Sequence, residues 1–287
     1  MKKNVFGYCL LVMLVVSSCG GGKKKIDPFE ILTGQIDSLA VHPDSVRDTV
    51  QLVEEVVPAT ADESFADFFY NFASDEDFQR SRIVFPITTY KGKRAIRISK
   101  EEWKHDALFS KDPAYTVLFD TEEDMEMEKD TAMHSIQVDM IDLEADRVKR
   151  YYFERKALSW FLEAINVERL VHAEGSGEDF MRFYKEFSAD STFQAERLND
   201  PLGFVTADPE DEFQILETIL EPGQWFAFRP PMKPGCMTNV HYGQKDDPGS
   251  DSKIVEFKGF GNGFSNTLYF ERRDGIWKLM RFEDLSD

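Results

Sequence analysis

The residues of this chain best suited to chemistry are scattered. Its five histidines, His42, His105, His134, His172 and His241, stand apart. None is paired with another at metal-ligand spacing, and zinc needs three or four converging nitrogen or sulfur ligands. Acids do cluster, in Glu122-Glu123-Asp124 with Glu126 and Glu128, and in Asp246-Asp247 with Asp251. Neither run has the alternating aspartates, turn glycine and distant bidentate glutamate that hold calcium. Both read as solvated loops. No serine stands in a nucleophile elbow. Cys236 has no histidine beside it in sequence and reads as a small buried residue. The run Gly259-Phe260-Gly261-Asn262-Gly263 lacks the Gly-Lys-Ser/Thr ending of a phosphate loop. The sequence therefore assigns no catalytic residue, no metal site and no cofactor.

One pair remains of interest. Asn239 and His241 are two apart on the expected middle strand, so alternation puts both on one face. In an apolar cavity such a pair could orient a ligand or move a proton, because histidine titrates near neutrality.

What positions these residues is a repeat. At a fixed offset of 115, residues 63–87 and 178–202 share Glu63/Glu178, Phe65/Phe180, Phe68/Phe183, Phe72/Phe187, Asp75/Asp190, Phe78/Phe193, Gln79/Gln194, Arg82/Arg197 and Pro86/Pro201. Further on, Trp103 and Trp225 each precede a threonine, Thr116 and Thr238, by thirteen residues. Tyr152-Phe153-Glu154-Arg155 returns as Tyr269-Phe270-Glu271-Arg272, and Trp160 as Trp277. Repeats on this scale mean a copied structural unit. The offset between the Trp/Thr pairs sets Val117 and Phe119 opposite Asn239 and His241, an apolar pair against a polar one.

Each copy opens with phenylalanines at i, i+3, i+4 and i+7 (Phe65, Phe68, Phe69, Phe72), the stripe of an amphipathic helix facing a core. Thr60-x-x-Glu63 and Ser176-x-x-Asp179 are candidate capping boxes. A polar break and a second short helix follow, ending before Pro86 or Pro201. Each copy closes in strands. Asn262-Gly263 and Asp274-Gly275 are hairpin signals, because tight turns need positive φ. In the first copy Ala157-Leu158 replaces Asp274-Gly275, which leaves a longer strand or a helical end open there. Polar residues kept in both copies, Gln79, Arg82 and Glu154 with Gln194, Arg197 and Glu271, are expected to bond the short helix to the last strands.

Helices first, a middle strand, then a meander closing on tryptophan: this order, and the run YFERRDGIWKLMRFED, resemble the NTF2-like superfamily. A cystatin-like sheet wrapping one helix is the nearest competitor. The layout is similar to an uncharacterised family of Bacteroidota lipoproteins with two such domains. The resemblance implies an α+β fold: two tandem NTF2-like domains, each a helical hairpin packed on a curved antiparallel sheet around a conical cavity.

The N-terminus carries an address. Lys2 and Lys3 precede an apolar stretch, Val5 to Val16, too short to span a bilayer, and Val16-Ser17-Ser18-Cys19 resembles a bacterial lipobox. The resemblance implies cleavage after residue 18 and lipidation of Cys19, with several acyl chains giving a stable anchor. The expected organisation is a leader at 1–18, a flexible tether at 19–59, and domains at 60–170 and 175–287. Surface-exported lipoproteins of Bacteroidota carry acids after the cysteine. Here Lys23-Lys24-Lys25 follows, which implies an outer-membrane anchor facing the periplasm. With Cys9 in the leader and Cys19 lipidated, Cys236 has no disulfide partner.

A net charge of −19 repels nucleic acid. The expected partners are the membrane, through the lipid, and a small molecule or a protein. The functional expectation is a lipid-anchored envelope protein that binds without catalysing. The alternative is a hydratase- or isomerase-type enzyme using the second cavity, and a third reading is purely architectural.

Overall fold

The computed structural model describes residues 62–286 apart from 173, 174, 176 and 209, and apart from the side chains at 211–213. The leader, the tether, Cys19 and Thr60 lie outside the described residues. Those described belong to one compact unit, Val56–Asp287.

Each half begins with its aromatic helix. Helix α1 (Phe65–Ser74) buries Phe65, Phe68, Phe69 and Phe72. All four rings pack within 5.2–5.8 Å of Phe153, edge-on. In the second half, helix α4 (Phe180–Ala189) buries Phe180, Phe183, Tyr184 and Phe187, and Phe270 takes the place of Phe153. The caps sit later than the expected boxes: Ser64 Oγ accepts from the Asp67 amide at 3.1 Å, and the Asp179 carboxylate accepts from the Arg182 amide at 3.0 Å. The short helices α2 (Glu76–Ser81) and α5 (Ser191–Glu196) are capped by Asp75 and Asp190, whose carboxylates accept from the Phe78 and Phe193 amides. That role explains why both halves keep the aspartate.

Among the described residues, twelve strands form two six-stranded sheets. The first holds β2 (Arg94–Ile98), β1 (Ile83–Lys91), β6 (Ser159–Arg169), β5 (Arg147–Lys156), β4 (Ser135–Asp142) and β9 (Cys236–His241), in that order. The second holds β3 (Ala114–Phe119), β10 (Ser252–Gly259), β11 (Ser265–Arg273), β12 (Ile276–Asp284), β7 (Leu198–Asp208) and β8 (Asp211–Leu220). The sheets are mixed rather than antiparallel throughout, because β1 runs parallel to β6 and β7 parallel to β12. These pairs are joined through the whole meander, so no tight hairpin dictates their direction. Pro86 and Pro201 lie inside β1 and β7, after cis peptides, where each parallel ladder shifts register.

The halves exchange strands. Strand β3, from the first half, pairs with β10 and ends the second sheet, while β9, from the second half, pairs with β4 and ends the first. Side-chain alternation lets each exchanged strand serve both interiors. Val117 and Phe119 enter one core with α1, whereas Leu118 between them enters the other with α4. Val240 and Met237 on β9 divide in the same way. The two cores are distinct, and neither is built from one half alone.

The segment left open between strand and helix is a two-residue turn. Ala157 and Leu158 take φ of 48° and 68°, matching 53° and 79° at Asp274 and Gly275. The pairing of β5 with β6 imposes a left-handed conformation that the side chains do not favour. Among the described residues, helix α3 (Glu122–Met125) continues as one 3-10 turn, α6 (Pro222–Phe228) is a short helix, and no helix is long and apolar enough to cross a membrane.

Candidate ligand-binding cavity

Two polar clips recur and hold the walls of the site. Gln79, fully buried, uses its whole carboxamide. Its Nε2 donates to the carbonyls of Phe72 and Asp106, both at 2.8 Å, and its Oε1 accepts from Trp103 Nε1 at 3.0 Å and the Asp106 amide at 2.9 Å. Gln194 donates to the Phe187 carbonyl and accepts from Trp225 Nε1 at 3.1 Å and Arg229 at 2.6 Å. In the second clip Arg82 grips Asp62 with both guanidinium nitrogens, at 3.1 and 2.7 Å, and Arg197 grips Glu178 at 2.7 Å twice. Asp62 and Glu178 also accept from the amides of Trp160 and Trp277, tying the helical pair to the last strand.

Glu154 and Glu271 take no part in these clips. They lie toward solvent beside Lys156 and Arg273, because strand alternation turns them away from the helices. Their neighbours Arg155 and Arg272 do the work expected of them, donating to the carbonyls of Asp62 and Glu178 at 3.0 and 3.2 Å. Both arginines were visible in the repeated Tyr-Phe-Glu-Arg run.

A cavity of about 820 Å³ lies inside the first sheet and reaches the contact between the halves. Its apolar lining includes Ile98, Trp103, Phe109, Met140 and Ile165. Its polar centre is Asp106, delivered by the loop that Gln79 and Trp103 hold. The Asp106 Oδ2 accepts from Lys149 Nζ and from Tyr151 Oη, each at 2.6 Å, while Oδ1 accepts from the Leu108 amide at 3.1 Å. Burial opposes ionisation of Asp106, but the Lys149 charge and these hydrogen bonds outweigh it and hold the carboxyl below its usual range. Burial, then the neighbouring Asp106 charge, pushes the Tyr151 phenol well up. The group is thus an ionised carboxylate with three donors already in place.

Two buried hydroxyls belong to the cavity wall, Thr89 and Tyr184. Thr89 is 6 % exposed and its Oγ1 has no hydrogen-bond partner among the described residues. Tyr184, 1 % exposed, comes from the second half; burial alone pushes its phenol up. Cys236 also lines the wall, and burial raises its thiol.

The same row of the second sheet is closed. Tyr151, Ile165 and Thr89 lie abreast on β5, β6 and β1. Their counterparts abreast on β11, β12 and β7 are Leu268, Phe282 and Phe204. Phe204 stacks on Phe282 at 5.3 Å, Phe228 packs on Phe204 at 5.6 Å, and Trp225 meets Phe282 edge-on at 5.4 Å. Aromatic rings occupy the space that the first half leaves lined but unfilled.

Asn239 and His241 are brought together as strand neighbours, but neither lines this cavity, nor do Val117 and Phe119. Val117 and Phe119 are core residues packed with α1. Asn239 accepts from the Leu118 amide at 2.9 Å through Oδ1, and its amide nitrogen lies 3.3 Å from His241 Nε2. His241 Nε2 is 3.2 Å from Asp139, which also accepts from Arg150 and Gln137. Exchange of β9 into the first sheet sets this polar group between the halves, away from the second core. Among the described residues no cluster of histidine, cysteine and acids could hold a metal ion.

Comparison with known proteins agrees with this architecture. The profile described as a domain of unknown function, DUF4348, matches residues 44–284. The chain belongs to this DUF4348 family. A crystal structure described as an NTF2-like protein from Bacteroides fragilis is similar to this DUF4348 chain at 51 % identity, with a TM-score of 0.76. The similarity covers 80 % of this chain and 99 % of that one. Among curated proteins none matches.

Proposed function

We propose that this protein is a lipid-anchored envelope protein of two NTF2-like repeats, and that its first-half cavity binds a small molecule without transforming it. One observation carries the binding reading: Thr89 and Ile165 border a cavity of about 820 Å³ where Phe204 and Phe282 close the matching row. That volume lies in the range of small-molecule pockets, and an apolar lining with few polar groups is their usual chemistry. Two copies under the same packing demands need not differ here, so the opening in one is a feature to be explained. A binding role without turnover is supported by Asp106, whose carboxylate oxygens are already engaged by Lys149, Tyr151 and the Leu108 amide. A carboxylate so occupied is poorly placed to take a substrate proton. The lipid anchor rests on Cys19 and its lipobox resemblance.

The test is to close the cavity as the second half does. Thr89→Phe, alone and with Ile165→Phe, is expected to remove the small molecule that co-purifies with residues 56–287, read by mass spectrometry. Full retention in the folded variant sinks the reading. For the anchor, Cys19→Ala in the full chain is expected to move the protein out of the membrane fraction.

A further inference from the structure

The cavity has a charge character opposite to that of the molecule, and this narrows its ligand. The chain carries a net −19. Three acids on the cavity lining are already paired with lysine or arginine: Asp106 with Lys149 at 2.6 Å, Asp112 with Lys233 at 2.9 Å, and Asp142 with Arg147 at 3.0 Å. A fourth, Glu102, turns back to accept from the Ser99 amide at 3.0 Å. Lys91 and Lys104, also on the lining and exposed at its rim, have no acidic partner among the described residues. The lining therefore has two unpaired lysines against one acid, in a protein otherwise dominated by carboxylates. Inside, Thr89 Oγ1 has no hydrogen-bond partner among the described residues and the Tyr184 phenol belongs to the same lining, each residue being more than nine-tenths buried. A hydroxyl left without a partner in an apolar wall, as at Thr89, costs free energy unless a ligand supplies one.

We infer that the ligand is a monoanionic amphiphile. This inference rests on the binding reading above. Its apolar body lies among Ile98, Trp103, Phe109 and Ile165, a polar oxygen on that body meets the Thr89 and Tyr184 hydroxyls, and its acid group faces Lys91 and Lys104 at the mouth. Neutral amphiphiles gain the body but not the mouth. Dianions are disfavoured by the acidic remainder of the surface.

The experiment uses residues 56–287 and two fluorescent probes with the same aromatic body. One is 1-anilinonaphthalene-8-sulfonate, a monoanion; the other is N-phenyl-1-naphthylamine, which is neutral. The sulfonate is expected to bind at one site per chain, tightly enough to be displaced by a medium-chain carboxylic acid. Lys91→Gln with Lys104→Gln is expected to weaken it by about fivefold at low salt, as suits two exposed charges, and to leave the neutral probe unchanged. Tyr184→Phe is expected to lower displacement by hydroxylated acids while sparing the simple probe. Equal affinity for both probes, unaltered by the lysine changes, overturns the anionic assignment and leaves the cavity reading standing. Binding of either probe that survives Thr89→Phe, or Thr89→Leu where the larger ring impairs folding, overturns the cavity reading itself.

Discussion

Thr116 and Thr238 hydrogen-bond each other's backbone in both directions. The Thr116 hydroxyl donates to the Thr238 carbonyl at 2.7 Å and accepts from the Thr238 amide at 2.9 Å. The Thr238 hydroxyl does the reverse, at 2.8 and 2.6 Å. The two residues correspond in the sequence repeat, and the contact between them is reciprocal. They also sit on β3 and β9, the end strands of the two sheets. An end strand leaves a row of backbone groups unpaired, and here side chains of each exchanged strand bond backbone groups of the other at Thr116, Leu118 and Thr238.

The first prediction follows. Thr116→Val keeps the shape but leaves the Thr238 amide and carbonyl buried without those partners, at a cost of about 1–3 kcal/mol. Thr238→Val should cost the same. The double variant should cost clearly less than the two together, because the second change removes contacts the first has already broken. Urea titrations of residues 56–287 read all three. Additive losses would mean that the pair does not act as one unit.

A second prediction concerns the turn at Ala157-Leu158. Both residues are left-handed, with φ of 48° and 68°, and Leu158 is 73 % exposed, so nothing there repays the strain through packing. The second half solves the same turn with Asp274-Gly275. Grafting Asp-Gly onto 157–158 should therefore stabilise the protein by about 1 kcal/mol and raise its melting temperature. An unchanged or lower melting temperature would mean that the leucine has a partner elsewhere.

That turn also marks what could be read from the sequence and what could not. The spacing of Phe65, Phe68, Phe69 and Phe72 announced a helix, because a 3.6-residue period has one interpretation over ten residues. Asp274-Gly275 announced its turn through glycine's tolerance of positive φ. Ala157-Leu158 carried no such signal, since its conformation is imposed by strand pairing around it. The strand exchange was hidden for a related reason. Alternation in β3 and β9 tells which side chains share a face, but not which sheet receives the strand. Gln79 and Arg82 stood out as polar residues kept twice, and both form clips. The cavity was missed although its signal was present: at the offset of 115, Thr89 faces Phe204, a small polar residue opposite a large ring. The difference singled out, Val117 and Phe119 against Asn239 and His241, lies on the exchanged strands and not on the cavity wall.

A third prediction comes from the Glu178 clip. Burial would raise this carboxyl, but the Arg197 hydrogen bonds and the Trp277 amide lower it below its ordinary 4.5. A carboxyl depressed in the folded state binds fewer protons there than in the unfolded chain, so it adds stability above the unfolded value. That contribution is lost as pH falls through the lower, folded value. Between about pH 5 and pH 3 the wild-type protein should lose stability with a steeper slope than Glu178→Gln does. The side chain is a third exposed, so the effect is a modest change in slope. Parallel denaturation curves across that window would remove Glu178 as a contributor.

The last prediction uses Cys236 as a reporter of the cavity. In residues 56–287 it is the single thiol, since Cys9 and Cys19 lie upstream. It lines the cavity beside Thr238, and burial, together with Asp142, Asp112 and Glu144, outweighs Lys233 and raises its thiol above 9.0. The thiolate is the reactive form, so alkylation by iodoacetamide should be slow at neutral pH and should climb until the pH passes 9.0. Removing one of the raising charges, in Asp142→Asn, should shift that rise to lower pH. Occupation of the cavity covers the sulfur, so saturating 1-anilinonaphthalene-8-sulfonate should slow alkylation several-fold in the wild type. In Thr89→Phe the probe should give no protection, because the ring has taken its place. Protection that persists in that variant would put the probe somewhere other than the cavity.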